Sequence, residues 1–268
     1  MQKYLHVFNI GIQNTLVYRV NFLFRAAFGL VPLMAIMFVW ERIYEGKGEG
    51  GEVAGYALSQ MISYYLVVTL VDMFTAVTED DWQIAGEIRD GTISQFLLKP
   101  IDYLYYRFTL FFAGRSIYTV CALLPVGLFI FYLREHFMWP ADLVTWGWFL
   151  LATSLTLLLQ FLISYTMALL AFWVLEVATL IFILFAFEYV AGGHMFPLDI
   201  LPPAVQTALQ FTPFPYMLYF PVSIYLGRVA GAELVTGLCI QGIWVLSAYL
   251  LARFVWSKGI KKYGAYGG

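Results

Sequence analysis

The stretch LVTWGWFLLATSLTLLLQFLISYTMALLAFWVLEVATLIFILFAF, from Leu143 to Phe187, decides the fold of this chain. Its 45 residues contain one charged side chain, Glu176. As a single helix the stretch would be about 67 Å long, roughly twice the hydrocarbon layer of a bilayer. The sequence therefore predicts a tight helical hairpin that turns near residues 172–177. Glu176 is then expected in the turn at a membrane face, where a charge costs least.

The composition places the whole chain in the membrane. Of its 268 residues 62% are hydrophobic and 12% are charged, whereas charged residues make up roughly a quarter of soluble domains. A net charge of -2 leaves no basic excess for a nucleic acid. Cys121 and Cys239 both lie in apolar runs and the three histidines are scattered, so neither a disulfide framework nor a metal site is expected. No cofactor is expected in this chain.

Six membrane spans are predicted around this hairpin, in an all-α integral membrane protein. Their ranges are 22–40, 53–77, 108–132, 143–171, 177–191 and 229–255. Residues 1–21 place apolar side chains at helical spacing and polar ones on another face, which predicts an amphipathic helix at the membrane interface. A ragged start to the first span is the alternative.

Residues 192–228 interrupt the apolar pattern with six of the ten prolines. Proline at this density forbids one continuous helix, and broken helices survive at membrane depth only when they pack on protein or line a cavity. The segment is predicted to form short re-entrant or interfacial helices, with Phe196, Phe214 and Tyr216 as aromatic residues of a possible pathway.

The basic residues are distributed asymmetrically between the two faces of the predicted bundle. Eleven fall on the side of both termini and of loop 78–107, and four on the other side. Because basic residues favour the cytoplasmic side, both termini are predicted inside and segment 192–228 outside.

Loop 78–107 is the longest polar stretch between spans. Thr92 and Gln95 have the spacing of a capping box, which predicts a two-turn helix from Ile93 to Lys99, ended by Pro100. Ile93, Phe96 and Leu97 would share one face, and Gly91 would separate this helix from a preceding one. Such a helix could fill a groove on a soluble partner, or it could lie back on the lipid or on its own bundle.

Two strings in the sequence resemble a known family. GEIRDGTISQFLLKPI, residues 86–101, is similar to the first cytoplasmic loop of ABC-2 type permeases, the membrane subunits of a class of ATP-binding-cassette exporters. GGHMFP, residues 192–197, resembles the broken outer segment of the same family. The order of an amphipathic start, six spans, a tight turn between spans four and five and a basic tail is also similar.

The resemblance implies a transport subunit of a bacterial cytoplasmic membrane. The loop after span two would be the coupling helix that docks on an ATPase, of which two copies serve a pair of identical or homologous permeases. Docking would involve residues Glu87, Arg89, Gly91, Thr92, Ile93, Gln95, Phe96, Leu97, Lys99 and Pro100. The sequence contains no phosphate-binding G-x-x-x-x-G-K-[ST] loop, so ATP and magnesium are expected in the partner and this chain is not expected to be an enzyme.

Three carboxylates in or near the spans remain open to two interpretations. Asp72, Glu176 and Glu188 are candidates for a pathway or gate, yet each lies near an interface where water or an arginine could satisfy it. Arg115 could pair with Asp72, but extension toward the headgroups is favoured. The alternative function is a membrane-embedded enzyme acting on lipids or proteins with one of these acids, although no hydrolase or metalloprotease motif accompanies them. A passive structural subunit would leave the loop helix without a purpose.

Overall fold

The computed structural model describes residues 2–48, 50–77, 80–140, 142–174 and 176–263. Residue 1 of the predicted surface helix and residues 78 and 79 of the predicted loop lie outside these ranges. Within them the chain forms eleven α-helices: α1 (Gln2–Leu16), α2 (Arg19–Glu45), α3 (Leu58–Thr75), α4 (Asp80–Arg89), α5 (Ser94–Leu97), α6 (Tyr103–Tyr132), α7 (Leu143–Ala168), α8 (Ala178–Ala191), α9 (Pro203–Leu209), α10 (Tyr219–Tyr225) and α11 (Gly231–Lys262).

Five of these helices are long and apolar enough to cross a membrane: α2, α3, α6, α7 with the 3₁₀ turn that extends it to Phe172, and α11. Apart from α3, they extend beyond the predicted spans by up to seven residues at one end or both. The chain is therefore a multi-pass helical membrane protein. The predicted fifth span coincides with α8, whose 14 residues cover only about 21 Å.

In the long apolar stretch the 3₁₀ turn after α7 ends at Phe172 and α8 begins at Ala178, and residue 175 of the predicted turn lies outside the described residues. Glu176 lies between the two elements and is exposed. Phe172 also packs on α11, where an added Cβ at Gly259 would meet the Phe172 ring at 2.2 Å. Glycine at position 259 therefore allows the end of α11 to approach the hairpin closely.

Helices α1 and α2 run alongside α6 and in the same direction. Tyr4 contacts Tyr105 at a ring distance of 6.2 Å, and Phe8 stacks on Phe112 at 5.9 Å. Phe22, in α2, meets Tyr118 further along α6. The apolar face of α1 is therefore covered in part by α6, and this packing positions the start of α2 beside the middle of α6.

Helices α3, α7 and α10 form the interior of the bundle. Six consecutive residues of α10, from Phe220 to Tyr225, are buried against α3 and α7. The Phe220 ring occupies space that a Cβ at Gly237 would need, at a distance of 2.2 Å. The proline-rich segment thus turns back into the protein core through α10, while α9 remains largely exposed.

The predicted capping box in the loop is wrong. The Thr92 hydroxyl donates to the carbonyl of Glu87 at 3.4 Å, at the end of α4, and the Gln95 amide bonds to the Thr92 carbonyl at 3.2 Å. The helix is also shorter than predicted: α5 is the single turn Ser94–Leu97 rather than Ile93–Lys99. The physical reason is that the Thr92 hydroxyl bonds to a carbonyl of the preceding helix and is not available as a cap for α5. Ile93, which comes next, is buried and has helical backbone angles.

Candidate functional site

The connection from α4 to α6 forms a ledge at the end of the bundle, which we define as residues 80–102. An internal network holds the ledge in place. Glu87 forms an ion pair with Arg107, whose side chain is buried, and accepts a 2.6 Å hydrogen bond from the Tyr103 hydroxyl. The Arg107 Nε atom donates to the same hydroxyl at 3.1 Å. Glu87, predicted as a docking residue, therefore anchors the ledge to α6.

The predicted docking face is divided between the inside and the outside of the protein. Ile93 is 0% exposed and belongs to a core cluster that also contains buried residues of α6, α7 and α11. Phe96 is half-buried between Tyr103 and Tyr106, with ring distances of 5.5 and 4.8 Å. Leu97 alone of the three is exposed. Of the two alternatives for this helix, packing on its own bundle applies to Ile93, which is fully buried, and to Phe96, which covers two aromatic rings of α6.

The exposed surface of the ledge is carried by other residues. Leu98 is 89% exposed, and Trp82 of α4 is about half exposed. The Arg89–Asp90 pair is also on the surface, as are the predicted docking residues Thr92, Gln95, Lys99 and Pro100. Lys99 extends over the Phe96 ring at 4.8 Å, and the Pro100 carbonyl accepts a hydrogen bond from Lys3 at 2.6 Å. The ledge therefore offers apolar side chains within a polar surround.

Gly91 forms the turn between α4 and α5. Its φ of +78° lies in the left-handed region that favours glycine. Its carbonyl oxygen accepts a 2.9 Å hydrogen bond from the Tyr263 hydroxyl, just beyond the end of α11. The turn of the ledge is thus tied to the last long helix of the bundle.

A polar cluster lies deeper in the bundle, around the start of the proline-rich segment. His194 Nε2 lies 3.1 Å from the Asp72 carboxylate. The Gln160 amide donates to the buried Glu188 carboxylate at 2.8 Å. Glu188 and Asp72 both interact electrostatically with His194. The cluster therefore links α3, α7 and α8 through groups that differ widely in sequence position.

In this cluster Asp72 pairs with His194. Arg115, for which extension toward the headgroups was favoured over a pair with Asp72, is only 7% exposed and lies over the Tyr118 ring at 4.9 Å. Glu188 and Asp72 both interact with His194, because the chain turns back after α8. Among the described residues, no group of three acidic, histidine or cysteine side chains is arranged to hold a metal ion.

The predicted aromatic pathway residues lie in different surroundings. Phe214 packs on Phe187 at 5.1 Å, and Phe196 is half-buried. Tyr216 is buried and lines a cavity of about 430 Å³ together with Tyr219, Asp199 and Glu233. Of the three predicted residues, only Tyr216 borders this cavity.

Asp199 organises the proline-rich end of the protein. It accepts hydrogen bonds from the hydroxyls of Tyr56 at 2.7 Å and Tyr219 at 2.8 Å, and lies 3.9 Å from Arg228. The Arg228 guanidinium in turn covers the Tyr56 ring at 3.8 Å. The network ties the proline-rich segment to the residues that precede α3.

Sequence reasoning missed several residues of these sites. His194 stands in the GGHMFP string as the one ionisable residue of that string, and Asp72 is its natural opposite charge within a span. That complementarity was the available signal for the pair. Leu98 and Trp82 carried no separate signal, because an apolar residue in a loop can face the protein or the solvent.

Comparison with known proteins agrees with this architecture. No curated protein and no solved structure matches the chain significantly. A family model described as ABC-2 family transporter protein matches residues 30–267, which is most of the chain. The match covers the ledge, the polar cluster and the proline-rich segment. The chain therefore belongs to the ABC-2 family of transporter membrane proteins.

Proposed function

We propose that this chain is the permease subunit of an exporter that moves an amphipathic or lipid-linked compound out across a bacterial cytoplasmic membrane. Family membership implies an ABC transporter with an ATPase partner. In the proposal two ATPase copies serve two permeases, which are identical or homologous, and all ATP chemistry takes place in the partner. Six crossings, including α8, and cytoplasmic termini complete the proposed arrangement.

The observation that carries this proposal is the ledge. Glu87, Arg107 and Tyr103 fix it to α6, while Leu98 and Leu97 remain exposed at its surface. A short rigid element with projecting apolar side chains suits a groove on a soluble protein. Because Ile93 and Phe96 are packed inward, movement of the docked ledge would be passed directly to α6.

The Tyr263–Gly91 hydrogen bond provides a second mechanical connection, from the ledge to α11. Closing of the ATPase dimer would then displace α6 and α11 together, as packed helices shift in discrete steps. The cavity at Tyr216 lies between α11 and the proline-rich segment, so such a displacement would alter its shape. We assign this cavity to the outward part of the transport path.

Topology and assembly test the proposal together. In a chain lacking Cys121 and Cys239, single cysteines at the exposed positions Leu98 and Val205 are labelled from either side of sealed vesicles. Leu98→Cys should react from the cytoplasm and Val205→Cys from outside. The chain should also copurify with an ATPase encoded nearby and bind no ATP alone. Cytoplasmic labelling of Val205→Cys, or ATP turnover by the isolated chain, would overturn the proposal.

A further inference from the structure

The cavity of about 430 Å³ at Tyr216, which we call the Tyr216 cavity, carries two carboxylates and no basic side chain among the described residues that line it. The acids are Asp199, which precedes α9, and Glu233, in the first turn of α11. The volume is within the range of about 300–1,000 Å³ typical of small-ligand sites. The chemistry of this lining therefore bears on which compounds the cavity accepts.

The two carboxylates differ in their partners. Asp199 is already neutralised, because each of its oxygens accepts a tyrosine hydroxyl and Arg228 lies 3.9 Å away. Glu233 is exposed and forms no hydrogen bond or ion pair with a described residue. The N-terminus of α11 contributes only about half a positive charge beside it. The cavity therefore keeps a net negative charge, and that charge comes from Glu233 alone.

Most side-chain donors of the lining are already directed to acceptors of the protein. The Gln206 amide donates to two backbone carbonyls, at 2.7 and 3.2 Å. The Thr236 hydroxyl donates to a carbonyl of its own helix at 2.9 Å, and the Tyr219 hydroxyl donates to a carboxylate at 2.8 Å. Among the described lining residues, Tyr216 and Gln210 keep a side-chain donor without a protein partner. An anion is stabilised by such donors, so this lining disfavours one.

Aromatic rings form much of the apolar surface of the cavity. Tyr216 and Phe220 pack together with their ring centroids 5.8 Å apart, and Tyr219 also lines the cavity. The face of an aromatic ring attracts a cation, and aromatic side chains commonly bind quaternary ammonium groups in this way. Leu209 and Ile240 add aliphatic surface. Aromatic rings and one free carboxylate together suit a compound that is both apolar and positively charged.

We infer that the Tyr216 cavity selects lipophilic cations, so that the exported amphipathic compound carries an amine or a quaternary ammonium group. The positive group lies at Glu233, and the apolar part lies against the rings of Tyr216 and Phe220. The inference rests on the proposed function, which assigns this cavity to the transport path. Binding to the isolated chain tests the cation preference without the ATPase, so its failure leaves the labelling and copurification results untouched.

Equilibrium dialysis of the full chain in detergent measures this preference. The probes are radiolabelled tetraphenylphosphonium and tetraphenylborate, which carry the same phenyl rings and opposite charges, and uptake by protein-free micelles is subtracted. We expect saturable binding of tetraphenylphosphonium and none of tetraphenylborate. Glu233→Gln should weaken cation binding about fivefold, the upper value for an exposed charge pair. Thr236→Leu should weaken it by narrowing the cavity with no change of charge.

Glu135→Gln is the matched control. Glu135 is an exposed glutamate in the connection between α6 and α7, and it does not line the cavity. An equal fall of cation binding in Glu135→Gln and Glu233→Gln would show general charge attraction and overturn the inference. Equal saturable binding of the two probes, no saturable binding of tetraphenylphosphonium, or unchanged cation binding in both Glu233→Gln and Thr236→Leu would also overturn it.

Discussion

The Tyr263 hydroxyl donates a hydrogen bond to the carbonyl oxygen of Gly91 at 2.9 Å, which joins the end of α11 to the turn of the ledge. Tyr263→Phe removes this bond and leaves the aromatic contact with Phe172 in place. We expect the ATPase to remain bound, because the exposed ledge is unchanged. Stimulation of ATP hydrolysis by the transport substrate should fall severalfold, since one hydrogen bond contributes about 1 kcal/mol. Wild-type stimulation of ATP hydrolysis by the Tyr263→Phe complex would show that this bond transmits nothing.

The backbone conformation of Gly91 gives a second prediction. A residue with a Cβ at a φ of +78° is strained by about 1–2 kcal/mol, and a β-branched residue by more. Gly91→Ala should weaken coupling moderately and Gly91→Val strongly. Membrane insertion should be normal in both, because Gly91 lies outside the long helices. The measurement is copurification of the ATPase together with transport, and a Gly91→Val variant as active as Gly91→Ala would argue against the strained turn.

Substitutions at Leu98 and Ile93 distinguish an effect on ATPase docking from an effect on folding. Leu98 is 89% exposed, so Leu98→Ala should leave the melting temperature unchanged and weaken ATPase binding. Ile93 is 0% exposed, so Ile93→Ala should cost about 2–5 kcal/mol of stability through the cavity it creates. Thermal unfolding and copurification are measured on both variants. Full ATPase binding by Leu98→Ala would remove Leu98 from the interface.

Asp81 provides a pH-dependent prediction on the ledge. Its Oδ1 accepts the Trp82 amide at 2.8 Å, whereas its buried Oδ2 has no hydrogen-bond partner among the described residues. Burial raises the pKa of Asp81 above its ordinary value of 3.8. The folded protein therefore binds this proton more tightly than the unfolded chain. The carboxyl destabilises the fold progressively as the pH rises from 3.8 to the raised pKa of the folded state, and by a constant amount above it.

Asp81→Asn keeps the acceptor for Trp82 and cannot ionise. We expect its melting temperature to exceed that of the wild type at neutral pH, with the difference shrinking as the pH falls toward about 4. Asp90→Asn, at an exposed ion pair, is the control and should change little. A gain in Asp81→Asn that is independent of pH would contradict the assignment to ionisation.

The Asp72–His194 contact predicts coupling between two residues 122 positions apart. In a double-mutant cycle, Asp72→Asn and His194→Gln should together cost less than the sum of the single changes. For groups in one hydrogen-bond or ion-pair network the expected coupling is about 0.5–3 kcal/mol. The cycle is measured by denaturant unfolding in detergent, with the exposed Glu176→Gln in place of Asp72→Asn as the unpaired comparison. Additive effects at Asp72 and His194 would mean that the contact contributes no stability.

The sequence determined the class of this protein. A run of 45 residues with the single charge Glu176 is too long for one crossing of a bilayer and too apolar for water, so it must fold back within a membrane. This conclusion needs only the length and the composition of one segment. The loop strings predicted the family, which the family match confirmed. The proline-rich segment was likewise predictable as broken, since proline removes a backbone donor wherever it stands.

Tertiary structure alone decided which faces meet. When 62% of residues are hydrophobic, helical periodicity no longer tells an inward face from an outward one. The sequence therefore did not show that Ile93 is buried and Leu98 exposed, because the packing of the α5 region on α6 decides both. The pairing of Asp72 with His194 likewise depends on the return of the chain after α8. Such pairings are contacts between distant segments, and their geometry follows from the packing of whole helices rather than from spacing along the chain.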